Sequence, residues 1–239
     1  MSHKSQTQPW LSGGEAKRDY IRNLFAEVSP VYDFMNSAMS LGLHGRWRTF
    51  AVTKLNLRPG QTVLDLCSGT GDFGKPLRKV LGNSGRIIAL DFCEPMLKRA
   101  QRKPYRLTVT LADACRIPLR ENTADGVTVG WGLRNLSDLK QGLSEIHRVL
   151  KPGAKIVSVD MANPRSRFVG GAARFLFRIL VPSMGAVIGK RDAYLYLQQS
   201  TEKYKTREEL KQLMEETGFR NVRFHDLFFG LICVHEGEK

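Results

Sequence analysis

Short apolar runs alternate with stretches of helical spacing between residues 62 and 160, and this alternation limits the possible folds more than any other feature. Strands that alternate with helices are typical of a parallel sheet with helices on both faces. The helical spacing is clearest over residues 138–151, and the KPG that follows predicts a helix stop and a turn. The sequence therefore predicts an α/β fold with parallel strands at TVLDLC (62–67), RIIALD (86–91), LTVTLA (107–112), GVTVGW (126–131) and AKIVSVD (154–160).

The C-terminal segment departs from this alternation and predicts a different way of closing the sheet. A helix is expected over residues 206–218, where Thr206 and Glu209 form a capping box and a glycine ends the helix. Two strands follow, around 220–227 and 229–236, with no helix between them. We expect them to form an antiparallel hairpin that completes a seven-stranded, mostly parallel sheet.

The rest of the chain is expected to belong to the same domain, because 239 residues fit one large domain. Residues 1–14 are polar and are predicted to be disordered, whereas 15–239 form a single domain. Within it, residues 15–58 have helical spacing with a break at Pro30 and predict an N-terminal helical cap. Residues 161–205 interrupt the alternation and predict a helical insertion.

The net charge of +14 is the most unusual bulk property. It indicates an anionic partner, such as nucleic acid, acidic lipid or an acidic substrate, or else a basic surface that keeps the protein soluble. The four cysteines form no C-x-x-C pair, so we expect reduced thiols, no metal site and a cytoplasmic protein. The N-terminus lacks the apolar region of a secretory signal, and the longest uncharged apolar stretch (179–189) is too short to span a bilayer.

A glycine-rich loop follows the first predicted strand. Residues 63–74 read VLDLCSGTGDFG and contain the G-x-G-x-x-G pattern of dinucleotide-binding loops. Asp65 and Asp72 would repel a pyrophosphate, but they suit a ligand with positive charge, such as S-adenosylmethionine. A Cβ at Gly69 or Gly71 is expected to block the close approach of the backbone.

Two further acids follow the second and third strands. Asp91 ends the second strand and can accept hydrogen bonds from ribose hydroxyls, whereas Asp113 can accept one from an adenine amino group. Because open α/β sheets bind ligands at the carboxyl ends of their strands, Asp65, Asp91 and Asp113 predict one site at that edge. Taken singly, each acid could instead be a helix-capping or turn carboxylate.

Six stretches together resemble the ubiquinone/menaquinone biosynthesis C-methyltransferase family, from about residue 18 onward. The resemblance implies a class I, Rossmann-like S-adenosylmethionine-dependent methyltransferase fold and C-methylation of a polyprenylated quinol ring. It implies cofactor contacts at Thr70, Asp91, Asp113, Ala114 and Gly130, although the family often has serine at the last position. The stretches are YDFMNSAMSLGLHGRW (32–47), VLDLCSGTGDF (63–73), ADACRIPL (112–119), GLRNLSD (132–138), HRVLKPG (147–153) and GFRNV with GLICVHEGEK near the C-terminus.

The residues expected to handle the acceptor ring come from three parts of the chain. Arg134 and Asn135 follow the fourth strand; the first is expected to stabilise a quinolate oxygen, and the second to position substrate or water. Arg134 is a poor candidate for the base because a guanidinium stays protonated. The second candidate for moving a proton is His44. Tyrosine and amide side chains are predicted to line the acceptor pocket, namely Tyr32, Asn36, Tyr194 and Tyr196.

Residues 165–191 carry six basic residues, no acidic residue and several bulky apolar ones. This composition predicts a helical segment that faces an anionic membrane surface and receives a prenyl tail, or else a core helix or a dimer interface. We therefore expect a polyprenyl quinol substrate and peripheral association with the inner face of the cytoplasmic membrane. A homodimer is a further expectation.

Several alternatives stay open at this stage. The quinol could be a naphthoquinol, demethylmenaquinol, which the MNSAMSLGLHGRW stretch favours, or the benzoquinol precursor of ubiquinone. The charge alone supports an RNA methyltransferase or a basic nucleic-acid-binding protein, but GLRN stands where base methylation usually needs an N/D-P-P-Y/F motif. The literal glycine pattern supports a nicotinamide-dependent dehydrogenase, which Asp65 and Asp72 oppose.

Overall fold

The computed structural model describes residues 14–162, 164 and 191–239, and of residues 191–195 only the backbone. In the described residues, eight α-helices surround one sheet of seven strands. The strands are β1 (Thr62–Leu66), β2 (Arg86–Asp91), β3 (Leu107–Leu111), β4 (Ala124–Gly130), β5 (Leu150–Met161), β6 (Arg220–Leu227) and β7 (Ile232–Glu238). The helices are α1 (Gly14–Val28), α2 (Tyr32–Met39), α3 (His44–Thr53), α4 (Gly74–Leu81), α5 (Glu94–Gln101), α6 (Leu139–Val149), α7 (Arg191–Glu202) and α8 (Arg207–Glu216).

The strand order is β3-β2-β1-β4-β5-β7-β6. The first five strands are parallel, and β7 runs antiparallel to both β5 and β6. The prediction of a seven-stranded, mostly parallel sheet closed by an antiparallel hairpin is confirmed. The chain leaves β1 toward β2 on one side and has β4 on the other, so the direction of winding reverses there. A crevice at the carboxyl ends of β1 and β4 is the expected binding place in such a sheet.

The central strands are mostly apolar because both faces of the sheet are covered. In β1, Leu64 and Leu66 belong to one apolar cluster, and Val63 belongs to the cluster on the opposite face. In β5, Ile156 and Val157 are divided in the same way. Successive side chains of a strand point to opposite faces, which explains why the predicted strands read as nearly continuous apolar runs.

Two strands begin more than two residues away from their predicted start. β5 begins at Leu150 rather than at residue 154, because the KPG turn lies inside the strand as an irregularity. The register with β4 shifts between Ala124 and Gly126, and Gly153 adopts a positive φ of 75° within the extra residues. β7 begins at Ile232 rather than at residue 229, because a short 3-10 turn separates the two hairpin strands.

The N-terminal segment is helical, as predicted for residues 15–58, and Pro30 lies in a 3-10 turn between α1 and α2. Of the predicted helical insertion (161–205), the structure describes residues 161, 162 and 164, helix α7 and the residues that follow it. The basic segment 165–191 lies almost entirely outside the described residues, so its predicted role is not tested. In the described part of the chain, no helix has both the length and the apolar character that crossing a bilayer requires.

We expect the cap of α8 to contribute measurably to stability. The Thr206 hydroxyl accepts a hydrogen bond from the Glu209 N–H (3.2 Å), and the Glu209 carboxylate accepts one from the Thr206 N–H (2.7 Å). Thr206→Ala should lower the free energy of unfolding by about 1 kcal/mol, because an N–H at the helix start loses its partner. Chemical denaturation measures this change, and Thr206→Ser, which keeps the hydroxyl, should stay near wild type. Equal stability of the alanine variant and wild type would contradict the assignment.

Candidate active site

A cleft of about 630 Å³, open solvent at its mouth included, lies at the carboxyl ends of β1, β2 and β4. Helix α1 and the start of α2 form its outer wall through Arg18, Phe25 and Tyr32. The residues of the cleft that the sequence predicted are Tyr32, Gly69, Asp91, Asp113, Ala114, Gly130 and Asn135. The cleft therefore brings together most of the predicted cofactor residues with two of the predicted substrate and catalytic residues.

The glycine loop is shaped by backbone conformation and by packing. Gly69 and Gly71 have positive φ values of 53° and 78°. A Cβ on Gly71 would lie 2.6 Å from Leu107, whereas a Cβ on Gly69 would have its nearest neighbour, Tyr32, at 3.8 Å. The prediction that a Cβ at Gly71 would obstruct a ligand is therefore wrong, since it would strike the protein itself. Gly69 is needed for its backbone conformation.

Asp91 ties the end of β2 to the glycine loop. Its carboxylate accepts hydrogen bonds from the Gly69 N–H (2.8 Å) and from the Cys93 N–H (2.9 Å). Burial raises the pKa of this carboxyl to about 6, although the backbone donors favour its ionised form. The side chain lines the cleft and has lone pairs left for a ligand's hydroxyl groups.

Asp65 lies beneath the loop with a residue exposure of 1%. One carboxylate oxygen accepts a hydrogen bond from the Thr128 hydroxyl (2.8 Å), and the other finds no hydrogen-bond partner among the described residues. Burial raises the pKa of this carboxyl to about 7. Asp65 does not line the cleft directly. The sequence predicted the correct strand end for this acid, but its carboxyl group lies beneath the glycine loop and not at the surface of the cleft.

Asp72 does not face the cleft, contrary to the sequence interpretation. Its carboxylate contacts Lys103 Nζ at 2.5 Å and Arg48 Nη2 at 3.3 Å. Burial opposes ionisation, but these two cations outweigh it and the pKa of Asp72 is lowered. The charge of Asp72 is therefore already balanced by the protein and is not available to a cationic ligand.

Thr70 and His44 belong to this charged cluster rather than to the cleft. The Thr70 hydroxyl donates to Asp33 (2.5 Å), and Lys103 contacts the same carboxylate at 3.0 Å. His44 has its Nδ1 2.6 Å from the Arg48 guanidinium. Burial and the Arg48 charge lower the pKa of His44. The Thr70 hydroxyl thus positions the loop, and nothing places His44 beside a ligand.

Asp113 and Ala114 line the opposite end of the cleft. Asp113 accepts a hydrogen bond from the Cys115 N–H (2.8 Å), as a turn carboxylate does, and it also faces Arg18 at 3.6 Å. The structure therefore supports the turn-carboxylate interpretation, and the contact with an adenine amino group stays a prediction. Among the residues that line the cleft, Arg18 is the one with a basic side chain, and Asp113 offsets its charge.

Gly130 lines the cleft where the family resemblance expects a hydroxyl. A Cβ at this position would lie 2.9 Å from the ring of Phe73, so the neighbouring phenylalanine explains the glycine. The next residue, Trp131, has a positive φ of 54°, which is rare for a bulky side chain. The Arg48 guanidinium lies 4.7 Å from its ring centroid.

Arg134 and Asn135 follow β4 in a 3-10 turn but occupy different places. The Arg134 guanidinium is buried against the Asp160 carboxylate and does not line the cleft. Burial disfavours its charge, but Asp160 outweighs that effect and the pKa of Arg134 is raised. Asn135 lines the cleft, donates to the Trp131 carbonyl (3.0 Å) and accepts from the Tyr196 hydroxyl (2.8 Å).

Of the residues predicted to bind the acceptor, some line the cleft and others do not. Tyr32 lines the cleft, packs edge-on against Phe25 and has its pKa raised by burial, and its side chain bonds to Asn36. Tyr196 is buried with a residue exposure of 3% and does not line the cleft, but its hydroxyl donates to the cleft residue Asn135. The side chain of Tyr194 lies outside the described residues.

The sequence predicted an N-terminal helical cap but did not identify the α1 residues that form the wall of the cleft. Lys17 donates to the Leu136 carbonyl at 2.6 Å, which holds the helix against the loop after β4. Phe92 and Met96 add apolar surface next to Asp91. The signal that could have identified Phe92 is its position directly after Asp91, the acid that ends β2. Among the described residues, no group of three histidine, cysteine or acidic side chains could hold a metal ion.

Comparison with known proteins agrees with this geometry. Residues 14–239 match the model of the ubiE/COQ5 methyltransferase family. A demethylmenaquinone methyltransferase from Desulfitobacterium hafniense is 39% identical over 95% of this chain and 92% of its own length. A ubiquinone/menaquinone biosynthesis C-methyltransferase UbiE from Geobacter sulfurreducens is 37% identical over 93% of this chain and 90% of its own length.

Solved structures share the fold at lower identity. A Thermotoga maritima protein described as an S-adenosylmethionine-dependent methyltransferase and possible histamine N-methyltransferase aligns with a TM-score of 0.65. It has 20% identity and covers 91% of this chain and 99% of its own. An S-adenosylmethionine-dependent methyltransferase from Aquifex aeolicus aligns with a TM-score of 0.58, 21% identity and coverage of 80% and 88%.

Replacing Asp65 with asparagine is expected to flatten the pH dependence of stability. Because burial raises the pKa of Asp65 from 3.8 to about 7, the folded protein keeps a proton that the unfolded chain releases. This contribution is complete below about pH 4 and is lost as pH rises through 7, so the free energy of unfolding should fall over that range. The loss should be on the order of 1–4 kcal/mol.

Denaturant titrations of wild type and Asp65→Asn between pH 5 and pH 8 measure this difference. Asparagine keeps an acceptor for Thr128 and has no proton to lose. Comparing the two proteins cancels the parallel contribution of Asp91. Identical slopes for both proteins would show that Asp65 is ionised throughout the range.

Proposed function

Because this chain belongs to the ubiE/COQ5 methyltransferase family, we propose that it transfers a methyl group from S-adenosylmethionine to a ring carbon of a polyprenylated quinol. The preferred acceptor in this proposal is demethylmenaquinol, which becomes menaquinol. The names of relatives support it, since three that are 34–39% identical are demethylmenaquinone methyltransferases. The benzoquinol precursor of ubiquinone is the second acceptor, because other relatives carry the ubiquinone/menaquinone name.

The observation that carries the proposal is the acidic character of the cleft. Asp91 and Asp113 line it, and Asp65 lies beneath the loop with one oxygen that has no hydrogen-bond partner among the described residues. A pyrophosphate would meet two carboxylates here and one arginine that Asp113 already offsets. A nucleoside that carries positive charge and no phosphate fits this donor set. Asp91 alone would also suit the ribose of a nicotinamide dinucleotide, but the residues that line the cleft leave no uncompensated cation for its pyrophosphate.

In this proposal, Asp91 would bind the ribose hydroxyls, and the apolar side chains of Phe92, Met96 and Ala114 would pack on the adenine. S-adenosylmethionine, when bound, supplies a methyl group on a positively charged sulfur. Asn135 would orient the acceptor or a water molecule, because its amide is fixed by the Trp131 carbonyl and the Tyr196 hydroxyl. An amide held on both sides loses little entropy when it binds substrate.

Arg134 would act through the backbone rather than at the acceptor ring. Its charge is neutralised by Asp160, and its raised pKa excludes it as a base. The buried pair anchors the turn that carries Asn135. The proton lost from the ring carbon would pass to water that Asn135 orients, and the quinol hydroxyl would be ionised by the same route.

In this proposal, the enzyme is cytoplasmic and associates peripherally with the inner face of the cytoplasmic membrane. Its support is the net charge of +14 and the solubility of a polyprenyl tail in lipid. Association with an anionic bilayer and formation of a homodimer stay predictions. The nucleic-acid alternative rests on charge alone, and the acidic cleft does not favour a polyanion.

Methyl transfer from labelled S-adenosylmethionine under reducing conditions tests the proposal. A demethylated naphthoquinol and the benzoquinol precursor serve as acceptors in parallel. Label in the naphthoquinol supports the preferred acceptor, and label in both rings indicates an enzyme of two pathways. Cofactor binding without label in either ring would refute the quinol assignment.

Cofactor affinity is expected to depend on the ionisation of Asp91. Its pKa is about 6, so the carboxylate that accepts ribose hydroxyls becomes protonated as pH falls through that value. The Kd for S-adenosylmethionine should rise several-fold between pH 7.5 and pH 5, and Asp91→Asn should raise it at least tenfold at pH 7.5. Calorimetry measures both effects.

An asparagine at position 91 has one acceptor oxygen, so it can replace only one of the two carboxylate oxygens that accept backbone hydrogen bonds. A thermal melt of Asp91→Asn therefore checks that the variant is folded. An affinity that is constant from pH 5 to pH 8, together with an unchanged Kd in the variant, would remove Asp91 from the cofactor site.

A further inference from the structure

A row of four aromatic rings leads from the cleft to the protein surface. Trp131 lines the cleft, and its ring centroid is 6.3 Å from that of Trp47 in α3. Trp47 is 5.7 Å from Phe228, which is 5.8 Å from Phe229. Burial decreases along this row, from two half-buried tryptophans to phenylalanines that are 41% and 78% exposed. We call these four residues the aromatic path.

Three of the four residues of the aromatic path have an unfavourable backbone conformation. Trp131, Phe228 and Phe229 have φ values of 54°, 46° and 56°, which bulky side chains rarely adopt. Such strain persists only where the surroundings enforce it, and it is concentrated at functional sites. Three of the four residues in this continuous row have such a conformation, which makes the row a candidate functional surface.

Hydrogen bonds fix both ends of the path. The Trp131 N–H donates to the Val159 carbonyl at 2.7 Å. At the other end, the buried Arg207 guanidinium donates to the Gly230 carbonyl at 2.7 Å and contacts Asp226 at 2.6 Å. The turn that presents Phe228 and Phe229 is thus anchored, and the exposure of these rings is a property of a structured turn.

We propose that the aromatic path guides the polyprenyl tail of the acceptor from the cleft to the protein surface. This inference rests on the proposed function and adds a location for the tail, at the contact between α3 and the β6–β7 turn. A ring held near Asn135 and Trp131 must direct its tail out of the cleft, and a row of aromatic side chains offers a largely apolar route, with the Arg48 guanidinium beside the Trp131 ring as its one charged neighbour in ring contact among the described residues. Burying the tail there would remove apolar surface from water on both partners.

Continuity with the cleft favours the tail over other occupants. A bilayer surface would need only the exposed pair, Phe228 and Phe229, and would give no reason for Trp47 and Trp131 to join it to the cleft. A second copy of the chain would likewise use only the outer rings. The prenyl tail is the occupant that requires every member of the row.

The test compares two acceptors with the same naphthoquinol ring in detergent micelles, one with a single isoprene unit and one with a tail of several units. Phe229→Ser should lower kcat/KM for the long-tailed acceptor about tenfold, the size expected for losing a large part of one aromatic contact. It should leave the single-unit acceptor within about twofold. Because Phe229 is 78% exposed, the variant should fold normally.

Two control variants sharpen the comparison. Phe229→Leu keeps an apolar side chain and should retain the selectivity for the long tail. Phe34→Ser removes an aromatic ring of similar exposure, 71%, that is not part of the aromatic path, and should change neither acceptor. An equal effect of Phe229→Ser on both acceptors, no effect on either, or the same loss in Phe34→Ser would overturn the inference.

The outcomes also separate this inference from the proposed function. If wild type methylates neither acceptor while binding S-adenosylmethionine, the quinol assignment fails and the tail path fails with it. If wild type methylates both and Phe229→Ser does not change their ratio, only the tail path fails. Weaker sedimentation of Phe229→Ser with anionic vesicles, with the ratio unchanged in micelles, would assign the outer rings to a bilayer and overturn the inference.

Discussion

The ionic contacts of Asp72 join the N-terminal helices to the sheet, and the cleft depends on that junction. Arg48 from α3, Lys103 from the segment after α5 and Asp72 from the glycine loop meet in one cluster, to which Asp33 of α2 is bound. Buried carboxylates are costly unless cations compensate them, so the four segments must assemble together. Tyr32 consequently stands over the glycine loop, and the cleft acquires its outer wall.

The acidity of the cleft contrasts with the overall charge of +14. Basic residues around the loop are used to neutralise Asp72, whereas Asp65 and Asp91 receive hydrogen bonds from a hydroxyl or from backbone N–H groups. Both kinds of partner lower the carboxyl pKa, but uncharged donors do not fully compensate burial, so the pKa of Asp72 is lowered whereas those of Asp65 and Asp91 are raised. Of these three carboxyl groups, the two without an ion pair among the described residues are therefore those at and beneath the cleft, where a cationic ligand would bind, within a protein whose net charge is positive.

The sequence predicted the features that depend on local pattern. The buried parallel strands, the capping box of Thr206 and the acids at the strand ends follow from periodicity and spacing, and the structure confirms their positions. The partners of those side chains depend on contacts between distant segments. The pairing of Arg134 with Asp160, the capture of Asp72 by two cations and the wall formed by α1 could not be read from spacing. Gly130 shows the same limit, because the reason for its missing side chain is the Phe73 ring.

Helix α1 is fastened to the body of the protein by a few polar contacts at its first turns. Lys17 binds the Leu136 carbonyl, and Arg18 faces Asp113 across the mouth of the cleft. A ligand bound in the cleft would lie against α1, so loss of these two contacts would widen its route to solvent. Because helix displacements occur in microseconds to milliseconds, the rate of ligand exchange would then depend on how α1 is attached as well as on the ligand's own contacts.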